Sequence, residues 1–318
     1  MTTGNQTNTK GVILLGFYTP YHFKIPFFLL IFILYSLTVI ANIMIVTLVS
    51  SSSSRSSLRH PMFFFLSHLS LSDMILTASI VPIMLCGIIK GQVTMSIADC
   101  ITQFYFFGIA LASESLLLGA MSFDRYLAVC NPLRYRSIMD QKLCLQLVSL
   151  CWGLSITISL TMAVMMSSLQ FCGLNIIDHF FCDFFPILQL SCSETSTVKL
   201  GQMLIASPAA WFPFVFTVVT YVYIFITVLR IPSTSGRQKA FSTFSSHLSI
   251  VCIFFGSIIA LYLVPSPAGT SFNANKFVSM LYTVVTPLLN PVIYSLRNVE
   301  IKTSLKKYMW AMRKVTKL

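Results

Sequence analysis

Apolar stretches long enough to cross a lipid bilayer recur along this sequence, and they constrain its fold more than any other feature. A spanning helix needs about 20 predominantly apolar residues, and seven stretches meet that requirement. Charged residues make up only 9% of the 318 residues, whereas a soluble domain carries about 25%. The sequence therefore predicts an all-α membrane protein, a seven-transmembrane helix bundle. The predicted spans cover about residues 25–50, 61–89, 100–129, 143–166, 200–230, 240–264 and 272–296.

The distribution of basic residues predicts how the spans are oriented. Most of the 21 lysines and arginines lie in one alternate set of connecting segments, which is typical of loops on the cytoplasmic side. The net charge of +12 is divided among short clusters, so it does not indicate nucleic-acid binding. We expect an extracellular N-terminus (1–24), a spanning bundle (25–296) and a cytoplasmic tail (297–318). Residues 298–310 place apolar side chains on one helical face, which predicts a short amphipathic helix on the inner leaflet.

Two features of the predicted outer side fit this orientation. Asn5 begins an Asn-Gln-Thr sequon, which is useful only if it faces the lumen during synthesis. Four of the nine cysteines also fall on the outside. An oxidising compartment favours two disulfides among them, and four cysteines can pair in three ways. Free buried thiols are the alternative. These cysteines are Cys100, Cys172, Cys182 and Cys192.

Acidic residues at span positions are candidates for a buried polar site. A charge at the bilayer centre costs about 2.5–3.5 kcal/mol even on a lenient scale, so such residues normally face the interior of the bundle. Asp73 in the second span is either a hydrogen-bonded packing residue or part of a site shared with Glu114 and Asn290. Two neighbouring carboxyl groups would bind a cation, here sodium, or share a proton.

Asp124 and Arg125 form a charged pair where the third span ends. The arginine is either an anchor that reaches the lipid headgroups or part of a working ion pair. Each charge neutralises the other in a low dielectric, and a pair that can be separated makes a latch between two states. Both readings remain open on the residues alone.

Enzyme chemistry has no candidate constellation in this sequence. There is no glycine-rich phosphate loop, no H-E-x-x-H and no G-x-S-x-G, so we predict no enzymatic activity, no cofactor and no metal other than sodium as an allosteric ion. A small-molecule transporter is an alternative, but the two halves show no internal similarity of the kind many transporters have.

Four long motifs, in order, resemble those of one family. They are LRHPMFFFLSHLSLSD (58–73), MSFDRYLAVCNPLRY (121–135), SGRQKAFSTFSSHLSIV (235–251) and PLLNPVIYSLRN (287–298). HFFCD (179–183), within a long loop between the fourth and fifth spans, is similar to that family's extracellular loop. The chain resembles the olfactory receptors, of the class II type, a branch of the rhodopsin-like G-protein-coupled receptors.

The departures from the family's usual motifs are conservative. Phe123 and Phe63 stand where tyrosine is usual, Phe244 where cysteine is usual, and Ala41 where glycine is usual. Phe255 also replaces a tyrosine, so this position offers no hydroxyl to a ligand or a switch.

The resemblance implies an odorant receptor that binds small, mostly apolar volatile molecules and activates a stimulatory heterotrimeric G protein of the olfactory type, with cyclic AMP as the signal. It also implies a multi-pass plasma-membrane protein of olfactory cilia. A receptor of the same fold acting outside the nose is the main alternative. The switch residues implied by the resemblance are Asp124, Arg125, Tyr126, Tyr221, His247 and Tyr294.

The resemblance also implies two disulfides and a ligand pocket. The disulfides would be Cys100–Cys182 and Cys172–Cys192. The pocket would lie among the outer halves of the third, fifth and sixth spans, with Ser115 and Tyr262 as its few polar groups and no acid on the outer half of the third span to pair with an amine. Its walls would comprise Phe107, Gly108, Leu111, Ala112, Ser115, Ile205, Ala206, Ala209, Phe255, Ile258, Ile259 and Tyr262.

Overall fold

The computed structural model describes residues 11–51, 60–172, 175–263 and 273–297. The predicted sequon at Asn5 and the predicted amphipathic helix lie outside these residues. Within them the chain is mostly helical. Its first part comprises β1 (Gly11–Leu14), α1 (Tyr21–Ser51), α2 (Pro61–Lys90), β2 (Val93–Ser96), α3 (Ile97–Cys130), α4 (Pro132–Ile138) and α5 (Gln141–Ser167). The second part comprises β3 (Ile176–Ile177), α6 (Phe184–Gln189), α7 (Ser196–Gly201), α8 (Ser207–Leu229), α9 (Thr234–Leu263), α10 (Asn273–Met280) and α11 (Thr286–Arg297).

Two π-helical turns join consecutive helices into longer rods. Gln202–Ala206 joins α7 to α8, and Leu281–Val285 joins α10 to α11. A π turn holds one more residue than an α turn and is frequent at functional sites. It also rotates every later side chain around the helix axis, which matters for the pocket described below.

Six helical segments in the described residues are long and apolar enough to cross a membrane, which agrees with a membrane helical bundle. They are Tyr21–Ser50, Pro61–Lys90, Ile97–Cys130, Gln141–Ser167, Ser196–Leu229 and Asn275–Ile293. In α9 the apolar stretch His247–Ala260 is shorter. The span predicted at 240–264, and with it the count of seven, therefore stays a prediction, as does the orientation of the termini.

Local sequence signals explain where several helices begin and end. Ser96 and Asp99 form a reciprocal capping box at the start of α3, in which Ser96 Oγ accepts from the Asp99 amide at 3.0 Å. Asp140 Oδ1 accepts from the Leu143 amide at 2.7 Å and caps α5. These side chains satisfy amides that the first turn of a helix cannot. Gly91, with φ of 85°, ends α2 in a left-handed conformation that favours glycine.

A proline in α11 is accommodated by a side chain from α1. Pro291 has no amide hydrogen, so the carbonyl of Pro287 receives no hydrogen bond from the residue four positions later. Asn42 Nδ2 donates to that carbonyl at 3.1 Å and also to the carbonyl of Thr38 at 3.0 Å. Asn42 is fully buried, and in a membrane such carbonyls must be satisfied by the protein. The first and last long helices are thereby joined.

The two surfaces of the bundle differ as expected for a protein surrounded by lipid. Large apolar side chains are exposed along α1, α5 and α8, including Phe32, Leu160 and Val222. The interior carries buried polar side chains such as Asn42 and Asp73. This inversion, with apolar residues outside and polar residues within, agrees with hydrocarbon as the solvent.

One end of the bundle is covered by a small cap, and we call it the sheet end. The cap is a three-stranded sheet of order β2-β1-β3, in which β1 is antiparallel to β2 and parallel to β3. Lys276 of α10 ties it down, because its ammonium group donates to the Gly16 carbonyl at 2.7 Å and pairs with Asp178. Burial lowers the pKa of the neighbouring His179 to about 3, so this imidazole is neutral.

Disulfides fix the long connection between α5 and α7 to this end. They join Cys100 to Cys182, whose Cα atoms are 5.5 Å apart, and Cys172 to Cys192, at 5.8 Å. These are the pairings that the resemblance implies. Gln103 reinforces the first disulfide, since its Oε1 accepts from the Cys182 amide at 2.9 Å. The connection is therefore held against the start of α3.

Candidate ligand pocket and latch

A cavity of about 420 Å³ lies near the sheet end, between α3, α5, α8 and α9. Small-molecule pockets in proteins span about 300–1,000 Å³, so this cavity has room for a small ligand. Its walls are mainly apolar and include Phe107, Leu111 and Phe255. It contains all of the predicted pocket residues except Ile205 and Tyr262.

Ile205 is not among the residues that line this cavity, so its predicted role in ligand binding stays a prediction. Ile205 lies in the π turn between α7 and α8 and faces outward, where 38% of its surface is exposed. Its neighbour Ala206, and Ala209 one turn later, do line the cavity. The wider turn rotates the register that a regular helix would have. Tyr262 belongs to α9, but its side chain lies outside the described part of the structure.

Gly108 lines the cavity and also allows two helices to pack closely. A Cβ atom at this position would lie 2.9 Å from Ser159 Oγ of α5. Glycine therefore lets α3 and α5 approach each other beside the pocket. A larger residue at position 108 would push the helices apart as well as fill the cavity.

Residues of the connection between α5 and α7 form a wall that the sequence analysis missed. Asp183, Phe184 and Phe185 line the cavity, because the Cys100–Cys182 disulfide brings the segment that follows it over α3. The position next to Cys182 is the one sequence signal that could have indicated this wall. Other unpredicted lining residues come from α5 and α8 and include Ile158, Ser159, Trp211 and Phe214.

Asp183 brings an ionisable group to a pocket that was expected to hold only hydroxyls. Its Oδ1 accepts from the Phe184 amide at 2.7 Å and begins α6. Burial raises the pKa of this carboxyl to about 6. We expected no acidic residue to pair with an amine ligand because the outer half of the third span has none. Asp183 lies in the connection between α5 and α7, which that expectation did not include. Its carboxylate oxygens can accept hydrogen bonds from a polar ligand atom, and below a pH of about 6 the protonated group can also donate one.

Beneath the pocket, three predicted residues form a buried polar cluster. Asn290 Nδ2 lies 3.0 Å and 3.1 Å from the two carboxylate oxygens of Asp73 and 3.3 Å from Glu114 Oε1. Asp73, Glu114 and Asn290 are all buried. Glu114 Oε2 and Asn290 Oδ1 have no hydrogen-bond partner among the residues that the structure describes. Oxygen donors of this kind fit a hard cation or a shared proton.

No larger metal-binding cluster accompanies this one. The described residues contain no group of three or more histidine, cysteine or acidic side chains that could hold a metal ion. The polar cluster offers two carboxylates and one amide.

At the opposite end of the bundle, Asp124 and Arg125 form an ion pair. Arg125 Nη2 lies 2.8 Å from Asp124 Oδ2, and both side chains are buried. Tyr135 of α4 donates a second bond, from its hydroxyl to Asp124 Oδ1 at 2.7 Å. The same hydroxyl lies 3.1 Å from His60 Nδ1. We call Asp124, Arg125 and Tyr135 the latch, and Tyr135 was not among the predicted switch residues.

Three of the remaining predicted switch residues, Tyr126, Tyr221 and His247, belong to the described part of the structure. The Tyr221 hydroxyl is hydrogen-bonded to His247 Nδ1 and connects α8 to α9. Tyr126 packs edge-on against Tyr223, with ring centroids 6.1 Å apart. Tyr294 belongs to α11, and its side chain is outside the described residues. The α8–α9 connection is thus made in this state, while Arg125 is held by Asp124.

The geometry defines a class of protein. An apolar cavity near one end of a membrane bundle, a buried polar cluster below it and a buried ion pair at the other end form the arrangement of a membrane receptor for small molecules.

Comparison with known proteins identifies the family. A family model described as "Olfactory receptor" matches residues 30–312. Olfactory receptor 11L1 of Homo sapiens is 41% identical over 305 residues, which cover 96% of this chain and 94% of that protein. Olfactory receptor 1M1 of Mus musculus is 41% identical over 303 residues, covering 95% and 96%. The chain belongs to the olfactory receptor family, and it is a receptor rather than an enzyme.

Proposed function

We propose that this chain is an odorant receptor that binds small, mostly uncharged volatile molecules in the 420 Å³ cavity and activates a stimulatory heterotrimeric G protein, which raises cyclic AMP. The cavity is the observation that carries the proposal, because its size and apolar walls suit a ligand with few polar atoms. In this proposal α9 completes a set of seven spans. The sheet end faces outward and the latch faces the cytoplasm, in the plasma membrane of olfactory cilia.

The expected affinity follows from ligand size. Small ligands gain about 0.3 to 1.5 kcal/mol per non-hydrogen atom. A volatile of about ten such atoms that gains about 0.8 kcal/mol per atom, within this range, binds in the micromolar range. The polar groups in the wall (Ser115, Ser159 and Asp183 among them) would orient one oxygen of the ligand.

The latch would convert binding into coupling. Arg125 is restrained by Asp124 in the described state, and a ligand shifts the population only by its differential affinity for the two states. In the active state Arg125 would leave Asp124 and turn toward Tyr221 and Tyr294. This movement would open a cleft for the G protein.

The test is a panel of volatile alcohols, aldehydes, ketones, esters, amines and carboxylic acids applied to cells that express the receptor and a cyclic-AMP reporter. We expect agonists among the neutral compounds. Ala112→Leu adds an isopropyl group inside the cavity and should reduce their potency by about tenfold or more, as expected when about 1.4 kcal/mol of binding is lost. Ala78→Leu, the same change on an exposed face of α2, is the matched control. Agonism confined to charged compounds, or equal potency in both variants, would overturn the proposal.

A further inference from the structure

A second cavity of about 680 Å³ lies on the membrane-facing side of the bundle. It is a groove whose floor is α3, at Gly119 and Ala120, and whose sides are α5 and α8. Its rim carries exposed apolar side chains, among them Leu154 and Phe212. All of the residues that line it are apolar, so water has few partners in it, whereas hydrocarbon does.

The sequence of α8 explains why the groove is open. α5 and α8 each pack along α3, but below the π turn they have little contact with one another. Pro208 and Pro213 both face the groove, and Gly119 lets α3 approach Pro213, to which a Cβ atom would come within 3.2 Å. Because Pro213 has no amide hydrogen, the Ala209 carbonyl receives no hydrogen bond from residue 213. α8 is therefore more easily bent at this level.

The groove lies at the middle depth of the membrane. Leu154 is midway along α5, and Phe212 is midway along the continuous rod Ser196–Leu229. This is the hydrocarbon centre of a bilayer about 30 Å thick. Apolar volatile molecules concentrate there, because transfer from water to hydrocarbon is favourable by about 0.8 kcal/mol per buried CH₂.

Two residues connect the groove to the ligand pocket. Ile158 of α5 and Ala209 of α8 line both cavities. Their side chains therefore form part of the wall of each cavity, and both are small or flexible enough to move by a change of rotamer or a slight bend of α8. Towards the sheet end the cavity is lined by Asp183 and Phe184, next to the Cys100–Cys182 disulfide.

We propose that the groove between α5 and α8 is the access route by which uncharged apolar ligands pass from the bilayer into the pocket, with Ile158 and Ala209 as the gate. This inference rests on the proposed function of the pocket. The occupant of the groove is the ligand itself in transit. If the groove instead held a resident lipid or a second receptor copy, and were not the route, narrowing it would leave the rate of ligand passage unchanged.

A block in an access route has a signature that a change in the binding site lacks. Passage in both directions uses the same route, so narrowing it slows association and dissociation by the same factor and leaves the equilibrium affinity unchanged. Leu154→Trp and Ala120→Phe narrow the groove at residues that do not line the pocket. Leu160→Trp places the same tryptophan on an exposed face of α5 outside both cavities and is the matched control.

The experiment uses the purified full-length receptor in phosphatidylcholine vesicles and a diazirine derivative of 1-octanol as a photoreactive probe. Rapid mixing is followed by flash photolysis after increasing delays, and adducts in the pocket are located by mass spectrometry. In Leu154→Trp and Ala120→Phe we expect labelling of the pocket to be slower by at least about threefold. The final extent at long delay should equal that of the wild type, and Leu160→Trp should match the wild type at every delay.

Two other results would separately contradict the access route and the proposed ligand class. If the groove variants label the pocket as fast as the wild type, or lower the final extent without slowing it, the groove is not the route. If the pocket of the wild type stays unlabelled at long delay, the proposed ligand class fails, and the route fails with it.

Discussion

Removing the Tyr135 hydroxyl should make the receptor more active without ligand. In the described state this hydroxyl donates to Asp124 Oδ1 at 2.7 Å, within the latch. Burial, and then the nearby Asp124 carboxylate, raises the pKa of Tyr135, so the group stays protonated and continues to donate. Tyr135→Phe would keep the ring stacked on His60 and remove only the bond that holds Asp124.

The size of the effect follows from the kind of bond. A hydrogen bond to a charged group contributes about 1.5–3 kcal/mol, and each 1.4 kcal/mol is about tenfold in an equilibrium. If the bond exists only while Asp124 and Arg125 are paired, the ratio of active to inactive receptor should rise by about 10- to 100-fold. An active state populated at about 0.1% without ligand would then reach about 1–10%.

The assay is cyclic-AMP production without agonist, normalised to receptor at the cell surface. Tyr223→Phe is the control, because it removes a hydroxyl from a tyrosine that is more than half exposed and has no hydrogen bond to the latch. Basal signalling in Tyr135→Phe that equals that of the wild type and of Tyr223→Phe would show that this hydroxyl does not restrain the latch.

Three further predictions concern the ion pair, the polar cluster and the pocket carboxyl. Arg125→Ala should abolish agonist-dependent cyclic AMP while surface expression stays near normal, whereas a simple helix-end anchor predicts normal signalling. Sodium should lower agonist potency in the wild type and have less effect in Asp73→Asn; potency independent of sodium would exclude the cation version of that site. Because the folded-state pKa of Asp183 is raised from 3.8 to about 6, the folded state binds the proton more tightly, and this group should cost stability progressively as pH rises from about 4 to about 6. Thermal unfolding of the purified receptor should show that Asp183→Asn loses about 2–3 kcal/mol less unfolding free energy than the wild type over this pH range. Parallel pH profiles of stability for both proteins would refute this prediction.

The sequence predicted the spans and the interior residues well where a regular helix was a valid guide. Hydropathy placed α1, α2, α3 and α5 within a few residues of their ends, and spacing from Arg125 along α3 placed Ala112 and Ser115 at the cavity, because α3 is an uninterrupted helix. Ile205 does not line the cavity, and it lies in the π turn, which changes the number of residues per turn. Backbone hydrogen bonding, rather than side-chain pattern, decides such a turn, so hydropathy carries no sign of it.

Contacts made by connecting segments were harder to predict than contacts between spans. Asp183 reaches the pocket through a covalent link at its neighbour Cys182, and Tyr135 reaches Asp124 through the fold of α4 back against α3. Neither segment has a periodicity that fixes the direction of its side chains. The charged pair itself was visible in the sequence, but the partner that restrains it was not.

The hydrogen bond between Asn42 and the Pro287 carbonyl has a consequence for how the protein inserts into the membrane and folds. One partner lies in α1 and the other in α11, 245 residues later in the chain, so the ribosome makes the first partner well before the second. The carbonyl of Pro287 has no internal donor of its own, so α11 enters the lipid with an unmet polar atom until it finds a helix made more than 200 residues earlier. We therefore expect the packing of α11 against α1 to follow the insertion of both helices into the membrane. Substitutions at Asn42 should act on maturation and export as much as on signalling.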